Sequence, residues 1–183
     1  MTYTNDVKED SLIASEAQQS RLDIGAGLAS EGTQLARLIA VTSAKCRAYL
    51  GTNQIVASGS FVKINLGSED YDVGNDFDST TNYQFDIPIA GYYLVTVSAR
   101  EDAPADGNTV ELSIFKNAAA ISNTAHVVGA ANIAHPTFAD IIRLKRGDYI
   151  DMRLKHNAGV DKTVLAGSDV TFMAVHILST DRV

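Results

Sequence analysis

From about residue 46 onward, apolar side chains recur at every second position in short runs, and turn-forming residues separate the runs. A period of two is the spacing of β-strands, because successive side chains point to opposite faces. Eight stretches carry the pattern: "CRAYLG", "GSFVKINL", "YQFDIPI", "YYLVTVSA", "NTVELSIFKN", "AAISNTAHVV", "TFADIIRLKRGDYIDMRLKHN" and "SDVTFMAVHIL". They predict about eight to ten short strands, and so an all-β sandwich or jelly roll over residues 46–183. The seventh stretch reads as a hairpin. Ile142 and Leu144 alternate with polar residues before Lys145–Asp148, and Ile150, Met152 and Leu154 do so after it. Gly147 supplies the positive φ that such a turn requires.

Residues 1–45 follow a different pattern, rich in Ala, Ser, Glu, Gln and Gly. Leu28 and Leu35 lie one heptad apart and Leu38 follows at a d-like place, the spacing of a short coiled-coil seam. Gly25, Gly27 and Gly32 argue against one long helix, since each costs about 1 kcal/mol relative to alanine. The reading is a partly helical segment of two short helices, with a border to the β-domain at residues 45/46.

Two strands are apolar on both faces. In "GYYLVTVSA", Tyr93, Val95, Val97 and Ala99 share one face and suit a sandwich core; Tyr92 and Leu94 stand on the other. In "TFMAVHIL", Phe172, Ala174 and Leu178 oppose Met173, Val175 and Ile177. A two-layer sandwich has one interior, so a second apolar face needs a second cover. No helical pattern follows residue 46, which leaves a partner subunit as that cover. Tyr92, Leu94, Met173, Val175 and Ile177 are the expected contact residues.

Charge and composition narrow the function. The 183 residues carry a formal net charge of −7, and no Lys/Arg cluster offsets it locally. Such a surface is repelled by phosphate backbones and anionic lipid, so neither nucleic acid nor membrane is an expected partner. No run of about 18 apolar residues is long enough for a membrane span. The first residues lack the basic start and apolar core of an export signal. Cys46 is the only cysteine, so no intrachain disulfide forms, and it reads as a small apolar strand residue.

The stretch "FDSTTNYQFDIPIAGYYLVTV" resembles the signature of the globular head of the q subunit of the first complement component, which belongs with the tumour-necrosis-factor-like jelly rolls. The matching positions are Phe77, Asp78, Thr81, Asn82, Phe85, Pro88, Gly91 and Tyr93. Three further blocks follow in order: "LSIFKNAAAI", where Ala118 replaces a turn glycine; "IIRLKRGDYIDMRL", with Gly147 and Asp148 in its turn; and the closing "SDVTFMAVHIL". The resemblance spans about residues 46–180. It implies a ten-stranded jelly roll that assembles as a compact homotrimer.

Unlike the vertebrate heads, the chain has no collagen-like repeat and no export signal. Similar heads without collagen occur in bacteriophage virion proteins. The resemblance therefore implies a virion structural protein, a capsid decoration or head-fibre protein assembled in the bacterial cytoplasm. Residues 1–45 would anchor it to the capsid or another virion protein, through Leu12, Ile13, Leu22, Leu28, Leu35 and Leu38. Two alternatives stand beside it. One is a receptor-binding tail tip or adhesin that recognises host glycan or surface protein. The other is a cellular complement-like binding module.

Candidate chemistry is sparse. Asp70, Asp72, Asp76 and Asp78 fall within nine residues, an oxygen-rich run of the kind that binds Ca²⁺. Gly74 sits where an EF-hand needs a ligand and no Glu closes the loop, so a solvated acidic loop is the simpler account. Arg146–Asp148 spell "RGD", but glycine and aspartate are what a tight turn selects anyway. His126, His135, His156 and His176 have no zinc-protease spacing, and there is no G-x-S-x-G elbow. "GAGLAS" has no preceding strand and lacks the third glycine of a dinucleotide loop. No enzymatic activity is expected.

Overall fold

The structure, a computed structural model, describes residues 34–35, 38–39, 42–130 and 133–181. The chain divides into two compact units, Met1–Ile39 and Ala40–Val183. In the first, Leu35 and Leu38 stand on helical backbone and are mostly exposed. Leu12, Ile13, Leu22 and Leu28 lie outside the described residues.

The second unit holds thirteen strands among the described residues: β1 (Lys45–Tyr49), β2 (Gln54–Val56), β3 (Val62–Lys63), β4 (Ser68–Asp72), β5 (Phe77–Asp78), β6 (Gln84–Asp86), β7 (Gly91–Ser98), β8 (Thr109–Lys116), β9 (Ala119–Val127), β10 (Thr137–Leu144), β11 (Tyr149–His156), β12 (Lys162–Val164) and β13 (Phe172–Thr180). One sheet runs β10-β7-β13-β1-β4; the other runs β5-β6-β11-β8-β9, with β3 also on β11. β2 and β12 form a separate ribbon. This is the jelly-roll sandwich that the sequence predicts. The count exceeds ten because the connections between the long strands pair briefly. One of these, "SEDYD", lies in the expected acidic loop and forms the edge strand β4 beside β1.

The core lies between the sheets. Tyr93, Val95 and Val97 of β7 are fully buried there, opposite Val110, Leu112 and Ile114 of β8 and Ile150, Met152 and Leu154 of β11. Each such side chain contributes about 1.5–3 kcal/mol by leaving water.

Two expectations are corrected. Met173, Val175 and Ile177 do not form an external contact face. The antiparallel register sets them against Val97, Val95 and Tyr93, and residues directly opposite share a face. They are buried within their own protomer. Nor do β10 and β11 form a hairpin: β10 pairs with β7 in one sheet and β11 with β8 in the other. The turn itself is present, with Gly147 at φ 86° and the Asp148 N–H donating to the Lys145 carbonyl at 3.0 Å. It carries the chain across the sandwich, so Leu144 and Ile150 reach one core from opposite layers.

The positions that carried the resemblance hold this frame. Phe77 pairs with Phe85, and the Phe85 ring meets Tyr93 edge-on at 6.4 Å. The Tyr93 hydroxyl donates to the Ile89 carbonyl at 2.7 Å and pins the turn after the half-buried Pro88. Asn82 donates its backbone N–H and its side-chain amide to the Asp78 carboxylate. Gly91 lies so close to β13 that a Cβ would stand 2.2 Å from the Ser179 carbonyl oxygen.

The β8–β9 hairpin turns on Asn117 and Ala118, both at positive φ (49° and 66°). That is the geometry of a type I′ turn, which favours Asn-Gly. Asn117 is held there by its amide, which donates to Asp148 at 2.8 Å, and by its carbonyl oxygen, which accepts the Tyr149 N–H. Ala118 carries the steric cost of a left-handed conformation. Ala118→Gly is expected to raise unfolding free energy by about 0.5–1 kcal/mol in a urea titration, with an unchanged m-value.

Candidate assembly face and binding surfaces

The two outer faces of the sandwich differ in kind. On the second sheet, charges and aromatic rings satisfy one another. Arg153 stacks on Phe115 at 4.2 Å, Phe115 meets Phe61 edge-on, and Lys155 lies over Phe61. The fully buried Asp151 carboxylate accepts from Arg153 at 2.7 Å and pairs with Lys63 at 2.9 Å. Lys155 bonds Glu111. Ile121 and Val127 stay exposed on the edge strand β9, but along β8 and β11 that face is closed by its own side chains.

The first sheet is not. The registers line up outward rows across it. One row reads Ile141, Leu94, His176, Lys45; the next reads Ala139, Thr96, Ala174, Arg47, Tyr71. Ile141 is 58% exposed, Tyr92 45% and Leu178 49%. Leu94, Ala174 and Phe172 are only half-buried. Tyr92 and Leu94 thus lie where the sequence places them, on the face away from the core. Several polar groups on the face are already paired. The Tyr71 hydroxyl and His176 Nε2 are hydrogen-bonded at 2.6 Å. Arg47 stacks on Phe172 and bonds Asp70. At the edge, Ser98 Oγ contacts His135 Nε2 and Thr137 Oγ1, each at 2.9 Å. The sequence missed the neighbours Ile141, Phe172 and Ala174, because their orientation is fixed only by cross-strand register.

The four aspartates of the acidic stretch do not converge on one point. Asp70 bonds Arg47, and Asp72 accepts the Phe77 N–H at 2.8 Å. Asp78 accepts from the N–H groups of Thr80, Thr81 and Asn82, which hold its pKa down to about 2. Asp76 is half-buried; burial, with help from Asp72 and Asp86, pushes its pKa up. Among the described residues, no group of three or more His, Cys, Asp or Glu could hold a metal ion. Their chemistry is that of loop anchors, because Asp78 spends its lone pairs on the turn that follows it.

The other singled-out residues are structural too. The Asp148 carboxylate of "RGD" accepts from the Asn117 amide and the Lys145 N–H. Burial alone would raise its pKa, but those donors and the nearby lysines outweigh burial and lower it. Cys46 is fully buried, and burial with the nearby Asp72 and Glu69 pushes its thiol far up. His156 is buried beside the Val56 carbonyl, and His126 is exposed on β9.

One buried charge stands apart. Glu101, just after β7, is 2% exposed, and neither carboxylate oxygen has a hydrogen-bond partner. Burial raises its pKa, while His156 and Lys162 pull it the other way. Between the ordinary glutamate range and the raised value, the folded chain binds the extra proton. Stability from this group is therefore greatest in acid and falls as pH rises through that window. Glu101→Gln is expected to melt higher than the parent at pH 7.5, with the gain shrinking toward pH 4.5. Equal gains at both pH values would contradict this.

No protein-family model matches the chain, and no curated protein matches it by sequence. Solved structures do share its fold. The chain is similar to the Eiger TNF of S. frugiperda at 15% identity and TM-score 0.58, over 76% of this chain and 94% of that one. It is similar to murine APRIL at 13% identity and TM-score 0.55, over 73% and 99%. The globular domain of the zebrafish complement 1qA protein gives 11% identity and TM-score 0.52, over 75% and 98%. The β-unit thus has the jelly-roll fold seen in these TNF and complement-head structures.

These matches overturn the virion reading. The matched structures named above are animal TNF, APRIL and complement domains, so the bacteriophage, capsid-decoration, head-fibre and host-attachment roles are withdrawn, as is the virion location. The capsid-anchor role of residues 1–45 goes with them. The chain's lack of a collagen-like repeat had pointed toward phage heads. That absence concerns what is joined to a head, whereas the structural match concerns the head itself.

Proposed function

We propose that this chain is a non-enzymatic binding module that works as a homotrimer, in the manner of a cellular complement-like or TNF-like head. The outer face of the β10-β7-β13-β1-β4 sheet is the trimer seam, and the surfaces left outside it take a surface protein or glycan as partner. The observation that carries this reading is the contrast between the two outer faces. One pairs its charges and rings along β8 and β11 and leaves Ile121 and Val127 exposed only on its edge strand β9; the other leaves Ile141, Tyr92, Leu94 and Leu178 facing outward beside half-buried Phe172 and Ala174. Contiguous apolar surface of this kind is characteristic of an interface. Threefold assembly supports function through avidity, because three weak sites held together act as one strong one.

Sedimentation equilibrium at micromolar concentration tests this. A species of three times the 19.5 kDa protomer mass is expected. A well-behaved monomer or dimer would overturn the trimer.

A further inference from the structure

A groove of about 600 Å³ runs between the segment after β1 and the segment that leads into β4, with Tyr83 on its wall. No side chain that lines it is charged. On a chain with 22 acidic and 15 basic residues, that neutrality is a local property of the groove. Its polar side chains are Thr52, Asn53, Gln54, Asn65, Ser68 and Tyr83.

The groove is built, and its hydrogen-bonding capacity is only partly used. The Gln54 amide donates to the Lys63 carbonyl and its oxygen accepts the Asn65 N–H, both at 2.8 Å, so β2 is tied to the opposite wall. Asn53 Oδ1 accepts the Ala166 N–H at 2.8 Å, which fixes the side chain and leaves its Nδ2 donors free. The hydroxyls of Thr52, Ser68 and Tyr83 and the Asn65 side-chain amide have no hydrogen-bond partner among the described residues. Tyr83 itself sits at φ 51°, a costly conformation for a bulky residue. The loop enforces it through the Asp78 carboxylate, which gathers the N–H groups of residues 80–82. Strain held in place by a pre-formed loop is a feature of ligand-clamping sites.

We infer that this groove is a binding site for a neutral oligosaccharide, with Tyr83 as the ring on which a pyranose stacks and Asn53 Nδ2 as a donor to its hydroxyls. A sugar presents an apolar C–H face and a rim of hydroxyls that both donate and accept. An aromatic ring flanked by fixed amides and free hydroxyls complements both features. The absence of lysine and arginine disfavours acidic sugars, and the absence of carboxylates disfavours amines. This rests on the reading of the chain as a binding module and names its ligand class.

The test uses the full-length, isotope-labelled chain. TROSY spectra are recorded during titration with chitotriose, maltotriose, cellotriose and lacto-N-tetraose, with trigalacturonic acid as the anionic comparison. At least one neutral sugar is expected to shift the Asn53, Asn65 and Tyr83 signals with a Kd of about 0.1–1 mM per site. Trigalacturonate is expected to leave them unmoved. Tyr83→Gly removes the ring while keeping the positive φ, and Asn53→Asp keeps the acceptor for Ala166 while removing the donor. Each is expected to weaken binding at least tenfold in a chain that still gives a folded spectrum. Silence from all four neutral sugars, binding of the anionic sugar alone, or affinity that survives Tyr83→Gly would overturn the assignment. Sedimentation of the same samples reads the trimer separately, so a sugar-blind trimer sinks only this inference and a sugar-binding monomer sinks only the assembly.

Discussion

Val175→Asp will prevent the protomer from folding, whereas Leu94→Asp will leave it folded and single. The two residues are on adjacent, hydrogen-bonded strands, and both are aliphatic. They face opposite ways: Val175 opposes Val95 inside the core, and Leu94 opposes His176 and Ile141 outside it. An aspartate at residue 175 would be a charge without a partner in a fully buried site, which costs about 3–5 kcal/mol and is a large share of a domain's net stability. At residue 94 the carboxylate stays hydrated in the protomer and is trapped only when another copy covers it. Circular dichroism and sedimentation together separate the outcomes. Loss of β-signal is expected for Val175→Asp, and native signal with monomer mass for Leu94→Asp and Tyr92→Glu. A trimer that persists in either outer-face variant would mean that the seam lies elsewhere.

Gly91→Ala is the second substitution with a large effect. The new Cβ would stand 2.2 Å from the Ser179 carbonyl oxygen and 3.1 Å from the Thr180 Cα, and backbone cannot swing aside as a flexible side chain can. The pairing of β7 with β13 is already irregular there, with a register shift between Ile177 and Ser179. The strands must separate, and the Asp181 N–H would lose its 3.0 Å bond to the Ala90 carbonyl. A loss of about 3 kcal/mol is expected, or a melting point lower by about 6–12 °C for a chain of this size. A change under about 1 kcal/mol would show that the approach is looser than this.

What could be read from the sequence follows from what alternation can and cannot say. The faces of β7 were legible because one half of the strand, Tyr93, Val95, Val97 and Ala99, is apolar throughout, while the other ends in Thr96 and Ser98. In β13 the outward half, Phe172, Ala174 and Leu178, is broken only by His176, so pattern alone chose weakly between it and Met173, Val175 and Ile177; the register to β7 decides. The Lys145–Asp148 turn was legible from its chemistry. Whether it joins neighbours in one sheet or crosses between sheets was not, because both connections accept the same residues. β4 was hidden by its composition, since an edge strand with one solvated side needs no apolar stripe. Glu101 reads in sequence as one more loop acid, and the groove draws on segments near residues 52, 65 and 83 that carry no shared local signal. The jelly roll itself was legible from strand density and from the ordered blocks after Phe77.

The strand nearest the carboxyl end, β13, lies in the interior of its sheet, flanked by β7 on one side and β1 on the other. β1, which leaves the ribosome early, therefore waits for β13. Until residues 172–180 have emerged, β1 and β7 border a gap one strand wide, and the apolar floor of the domain stays open to water. The sheet can close only after residues 172–180 have emerged, and losing this one strand splits the sheet in two rather than trimming its margin.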